Sequence, residues 1–202
     1  MIGFRARKIS VCCLLATTVV LTACGALTQS DEAAIRLWWL EPYTGSAQAA
    51  VANAPLPVVL TVTAVPGLDS GHILTLSGDA ELKPYAGARW AEHLPELLSS
   101  LIGRSLQASG RFEVLQSRSG RGAGGCDLQL ELREFFANLG SDGQTAGVSI
   151  AIAGHYRCGS DPARVLRSRA YLDVADQQMS AIVASFQQAL DQVTVDLLKQ
   201  IK

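Results

Sequence analysis

The chain has no excess of basic residues, few histidines and, past its first two dozen residues, no apolar run long enough to cross a bilayer. Seventeen Lys and Arg against 18 Asp and Glu leave no cationic footprint for nucleic acid. Three histidines in 202 residues leave little material for acid–base or metal chemistry. No Gly-x-Ser-x-Gly elbow is present, which argues against the commonest serine-hydrolase arrangement. Cysteine is also scarce, at five residues, and two of these, Cys12 and Cys13, fall in the first apolar run.

That run decides where the mature protein begins. Arg5, Arg7 and Lys8 precede a largely apolar stretch from Ile9 to Leu21, which is shorter than the ~20 residues of a spanning helix. It ends in Leu21-Thr22-Ala23-Cys24, a lipobox, so residues 1–23 read as a lipoprotein signal peptide. The Cys24 thiol supplies the nucleophile for acylation, palmitate included, and cleavage before it leaves a lipidated N-terminus. Loss of three basic residues takes the basic count from 17 to 14 against 18 acids, so the formal charge moves from −1 to −4. Residues 24–34 are small or polar and read as a tether, and 35–202 as one periplasmic domain. Gly25, rather than Asp, after the lipidated cysteine resembles bacterial lipoproteins passed on to the outer membrane. The two remaining cysteines, Cys126 and Cys158, in an exported chain point to a disulfide.

Strand texture begins at Ile35–Leu40 and stops at Pro42. Thr44–Pro57 is Ala-rich with two prolines and reads as a loop, and a strand returns over Val58–Val65. His72–Leu76 and Glu81–Tyr85 suit a hairpin through Ser77–Ala80, with Pro84 placing the second run at an edge or ending it. Pro95, Glu96 and the Leu94, Leu97, Leu98, Leu101, Ile102, Leu106 stripe predict a helix that Gly110 stops. Phe112–Leu115 is a further strand, and 116–125 is a Ser/Arg/Gly loop.

Cys126–Leu132 carries apolar side chains at even positions, and so do Val148, Ile150, Ile152, Tyr156 and Cys158. If Cys126 faces Cys158, every even residue meets an even residue and Asp142 falls at the turn. Leu132 then faces Ile152, Phe136 faces Val148, and Asp127 meets Arg157 on the wet face. A slip of one residue would set apolar side chains against polar ones, so the pattern supports the bridge without appeal to compartment. Leu166, Ala170, Leu172 and Val174 put a third strand in the same meander. A closing helix, capped by Asp176, carries Met179, Ile182, Val183, Phe186, Leu190, Val193, Leu197 and Ile201 on one face, with Lys199 and Lys202 at its end. The expected class is α+β, a largely antiparallel sheet with two amphipathic helices packed on one face.

Chemistry is weakly signalled. Gly120-x-Gly122-x-x-Gly125 has the letters of a dinucleotide fingerprint but opens a strand where a helix is required. His155 points away from both cysteines in the hairpin register, which leaves no convergent zinc set. His72, His93 and the Glu92/Glu96 pair read as surface groups, and Trp90 as a core residue. No catalytic, metal or cofactor site is expected.

Between Ile73 and Leu115 stand Tyr85-Ala86, the block Arg89-Trp90-Ala91-Glu92, Leu97-Leu98 and Ser109-Gly110-Arg111-Phe112. On these residues the segment resembles the ABC-type transport auxiliary lipoprotein family, the partners of MCE-domain (mammalian cell entry) lipid transport systems. The lipobox, Trp39-Leu40 and the closing helix lie where such proteins have theirs. Trp38-Trp39-Leu40 replaces a plainer Tyr-x-Leu, and the cysteine pair is not general to the family. The resemblance implies a non-enzymatic lipoprotein held to the inner leaflet of the outer membrane. It implies an MCE-domain protein and an ABC permease and ATPase as partners, with phospholipid and further copies of the chain also to be considered. The alternative is a scaffold or assembly lipoprotein for an outer-membrane complex or cell-wall polymer.

Overall fold

The computed structural model describes residues 34–45, 54–115 and 125–201. The signal peptide, Cys24, most of the tether, most of the 116–125 loop and Lys202 lie outside the described residues. Ten elements occur in chain order: β1 (Arg36–Trp38), β2 (Leu56–Ala64), β3 (His72–Leu76), β4 (Leu82–Trp90), α1 (Leu94–Ala108), β5 (Phe112–Leu115), β6 (Cys126–Leu139), β7 (Thr145–Cys158), β8 (Arg164–Asp173) and α2 (Met179–Gln200). The strands form one eight-stranded sheet.

Its organising strand is β6. On one side its first half pairs with β2, from Val58↔Cys126 to Ala64↔Leu132, and its far end pairs with β3 at Leu74↔Phe136. On the other side it pairs along its length with β7, which pairs with β8. β4 and then β1 continue outward from β3, and β5 from β2.

The α+β class holds, but the sheet is mixed, not largely antiparallel. The β1/β4, β2/β5, β2/β6 and β3/β6 pairings are parallel, against three antiparallel ones. The antiparallel pairs join strands adjacent in sequence, where a tight turn leaves a local signature. Each parallel pair joins strands separated by other elements, as parallel pairing demands, and alternation within a strand carries no record of it.

The hairpin register is the expected one from Cys126↔Cys158 to Leu132↔Ile152. The turn runs through Asp142, whose carboxylate accepts the Gln144 N–H at 3.0 Å. After Leu132 the register shifts by one residue, so Phe136 faces Ser149 and not Val148, while Phe135 faces Ile150. This bulge turns Phe135 into the core, fully buried, and leaves Phe136 half-buried. Asp127 does pair with Arg157, at 3.6 Å, but is buried, because β2 lies alongside with Val59 in register.

The disulfide joins Cys126 to Cys158 with Cα atoms 4.0 Å apart, slightly closer than the usual ~4.4 to 6.8 Å of such bridges. The neighbouring Gly159 N–H bonds the Gly125 carbonyl, which makes the cysteines a non-hydrogen-bonded pair, the position where facing strands approach most closely.

Helix α1 begins with proline in its first turn and Glu96 close behind, and Gly110, at φ 69°, ends it. Its Leu94, Leu97, Leu98, Leu101, Ile102 and Leu106 are buried. Gly103 faces Leu60 and Val114, which an added Cβ would meet at the ordinary van der Waals distances of 3.7 and 3.8 Å. Helix α2 buries Ile182, Val183, Phe186, Leu190, Val193 and Leu197. Asp176 does not cap it. The helix starts at Met179, and the Asp176 carboxylate instead accepts the Gln178 N–H at 2.9 Å, before the first turn. Both helices share one core, at whose centre Trp90 meets Phe135 and Phe186 edge-on at 5.6 and 5.3 Å while those two rings stack at 5.0 Å.

Strand β4 reaches Trp90, well past Tyr85 where the sequence suggested an end. Pro84 is tolerated because β1 covers only Ala88–Trp90, leaving the outer side of β4 without a partner strand at residue 84 among the described residues.

Candidate functional site

The signature block spans a junction. Arg89 and Trp90 align with Leu37 and Trp38 of β1, and the Ala91 N–H bonds the Trp38 carbonyl at 3.0 Å. Trp90 is buried; Arg89, Ala91 and Glu92 are exposed. One residue of the block thus holds the core and three face outward. Glu92 and Glu96 are both exposed at the start of α1, where acidic groups suit the positive end of the helix, and Glu96 borders an open groove.

Arg111 has a role that its sequence neighbours do not reveal. Its guanidinium donates to the Leu198 carbonyl at 3.1 Å and to the Ile201 carbonyl, and lies 5.0 Å above the Phe112 ring. A cation thus satisfies carbonyls at the C-terminal end of α2, where the helix dipole is negative. Arg111→Ala should lower unfolding free energy by about 1–2 kcal/mol, and Arg111→Lys should recover only part, since an ammonium cannot fork between two carbonyls. Urea denaturation of the three proteins measures this.

Gln187 on α2 clamps the segment after β1. Its side-chain oxygen accepts the Glu41 N–H at 2.7 Å, and its amide donates to the Glu41 carbonyl at 3.0 Å and to Asp191 at 2.9 Å. Burial pushes the Asp191 pKa above its ordinary 3.8, and the Gln187 hydrogen bond pulls it partly back. The folded state therefore holds this proton more tightly than the unfolded chain. The resulting stabilisation is complete below pH 3.8 and is lost as pH rises through the raised folded value. Asp191→Asn should flatten the stability profile just above pH 3.8, read as urea midpoints across the acidic range.

The cysteine sulfurs are bonded to each other, and His155, exposed and paired with Gln129, lies on the opposite face. Buried beside the bridge, Tyr156 donates its hydroxyl to Cys126 Sγ at 3.4 Å. Burial raises the Tyr156 pKa, against the pull of Arg111 and Arg164. Asp69, His93 and Glu96 bring ligand atoms within 4.8 Å of one another at the start of α1, but all three are exposed, with no buried group to orient an ion.

An open groove of about 640 Å³ runs between α1 and β2/β5, lined by Leu60, Val62, Ser99, Gly103, Arg104 and Val114 among others. Its lining sets the hydroxyls of Ser99 and Ser100, the Glu96 carboxylate and the Arg104 guanidinium beside apolar side chains.

A family model described as "ABC-type transport auxiliary lipoprotein component" matches residues 40–197. The crystal structure of a Xanthomonas campestris protein assigned to family-model DUF330 superposes with a TM-score of 0.64 at 21% identity, covering 81% of this chain and 92% of that one. A solved structure described only as an uncharacterized protein gives 0.62 at 15% identity, covering 84% and 99%. At these identities the two structures speak for the fold alone. No curated protein matches the chain.

Proposed function

The chain belongs to the ABC-type transport auxiliary lipoprotein family, and from that premise we propose that it is the non-enzymatic outer-membrane component of an ABC/MCE-type phospholipid transport system. In this reading residues 1–23 are removed, Cys24 carries the lipid, residues 24–34 form the tether, and 35–202 is a periplasmic domain that docks the transport assembly to the outer membrane.

The carrying observation is the position of Cys24. A lipobox cysteine stands shortly before residue 40, where the family match begins. Anchor and domain are thus joined by a short linker, as docking at a membrane surface requires. The Cys126–Cys158 bridge supports an oxidising compartment. Gly25 supports onward passage to the outer membrane. The outward-facing Arg89, Ala91 and Glu92, with the groove beside α1, provide surfaces for protein contact.

Co-isolation tests the proposal. The affinity-tagged lipoprotein, cross-linked in cells and purified from membranes, should bring down an MCE-domain protein and ABC permease and ATPase subunits. Recovery of a β-barrel or peptidoglycan without them would replace the proposal with a scaffold role. Independently, Cys24→Ala should abolish acylation, leaving the chain uncleaved at this site or soluble in the periplasm. Mass spectrometry of the mature wild-type N-terminus checks the premise, and an unmodified cysteine there would contradict it.

A further inference from the structure

Seven large hydrophobic side chains are markedly exposed among the described residues, and three of them, Ile35, Leu37 and Trp39, occupy alternate positions of one five-residue stretch. Their exposures are 53%, 68% and 50%. Single exposed apolar residues are ordinary, but a contiguous row is not. The intervening Trp38 packs against the core and Leu40 is fully buried, so the alternation fixes which side chains face out. The row cannot turn inward without expelling Trp38 from its position beside Trp90.

The row is centred on β1, with Leu37 in the strand and Ile35 and Trp39 flanking it; β1 is the outermost strand at its end of the sheet and pairs only with β4 among the described residues. Outer strands are commonly protected by charge or proline; β1 carries the exposed Arg36 at the alternate position, while the positions of the row present isoleucine, leucine and tryptophan. The exposed Arg89 is aligned with Leu37 across the β1/β4 pair, placing a cation beside the apolar row.

The position of the row in the chain identifies what covers it. Ten residues, 25–34, separate Cys24 from Ile35. Ten residues of chain can reach at most about 35 Å. Resting on the reading that Cys24 is lipidated, we propose that Ile35, Leu37 and Trp39 form a membrane-docking face that enters the headgroup region of the bilayer to which the chain is anchored, with Arg89 meeting lipid phosphate. Tryptophan suits the membrane interface because its ring is apolar while its N–H stays hydrated, and one lipid-modified residue gains from a second, weaker contact nearby. Apolar insertion is the driving force here, since a mature domain of net negative charge is repelled by anionic lipid. The face also orients the domain, fixing which end of the sheet meets the membrane and which is left for partners.

Depth-dependent quenching tests this on the full lipidated protein, reconstituted into phosphatidylethanolamine–phosphatidylglycerol vesicles with or without brominated acyl chains. The emission difference between wild type and Trp39→Phe isolates Trp39 from Trp38 and Trp90. Brominated lipid should quench that component, and Ile35→Ser combined with Leu37→Ser should reduce the quenching by at least about twofold with circular dichroism unchanged. No quenching of Trp39 in a preparation whose Cys24 is acylated by mass spectrometry overturns the docking face and leaves the anchor standing. An unacylated Cys24 overturns the anchor, and the docking face with it. Dimerisation in lipid-free detergent that Leu37→Ser abolishes, with no quenching in vesicles, assigns the row to a second copy of the chain and overturns the membrane contact.

Discussion

Trp90→Ala should lower unfolding free energy by about 3–5 kcal/mol, the range for deleting a buried large aromatic side chain. Trp90 is 2% exposed and touches both other rings of the central cluster, so its removal leaves a cavity bounded by β4, β6 and α2. The loss has two parts, apolar area returned to water and edge-to-face contacts to Phe135 and Phe186, each worth about 0.5–1.5 kcal/mol beyond area. For a domain of this size the melting temperature should fall by roughly 6–20 °C. Trp90→Phe should recover part of the loss by keeping one ring in place. Guanidinium denaturation with the disulfide intact gives the number, and a change below about 1 kcal/mol would mean the ring cluster is not what holds the core together.

Replacing both cysteines by serine should lower stability by about 2–4 kcal/mol without abolishing the fold. The bridge spans 32 residues of sequence, and closing a loop of that size restricts the unfolded chain substantially. The fold survives because the β6–β7 register extends from the bridge to the turn, and Leu128, Leu130, Leu132, Ile150 and Ile152 remain buried. Reduction of the wild-type protein should reproduce the double variant. A larger denaturant slope in the reduced state would show that the effect acts on the expanded unfolded chain. Identical midpoints for oxidised and reduced protein would contradict it.

Legibility in the sequence followed the range of the interactions. The hairpin register could be read because two alternating runs and a cysteine pair, 32 residues apart, constrain one another. It failed at Arg133, where a bulge adds one residue, because Phe135 and Phe136 are both apolar and either could have faced the core. The α1 and α2 stripes were legible from periodicity, whereas the α2 start was misplaced because an acidic residue in a turn resembles a cap whether or not it reaches the helix. Parallel pairings left no local trace. At the candidate site, Arg89-Trp90-Ala91-Glu92 stood out as a block, but only the fold separates its buried ring from its exposed neighbours. Arg111 was visible as a letter beside Phe112, yet its carbonyl partners lie 87 and 90 residues away. The exposed row on β1 was hidden by Trp38 and Trp39 standing side by side, since composition does not say which ring turns outward.

The most direct test of the proposed role is phospholipid exchange between inner and outer membranes, measured by pulse-labelled lipid in cells whose only copy of this protein is wild type or Cys24→Ala. If the chain is a lipid-anchored component of the transport assembly, exchange should fall with Cys24→Ala to the level of cells lacking the protein. Exchange at the wild-type rate in cells that lack it altogether would contradict a role in lipid transport.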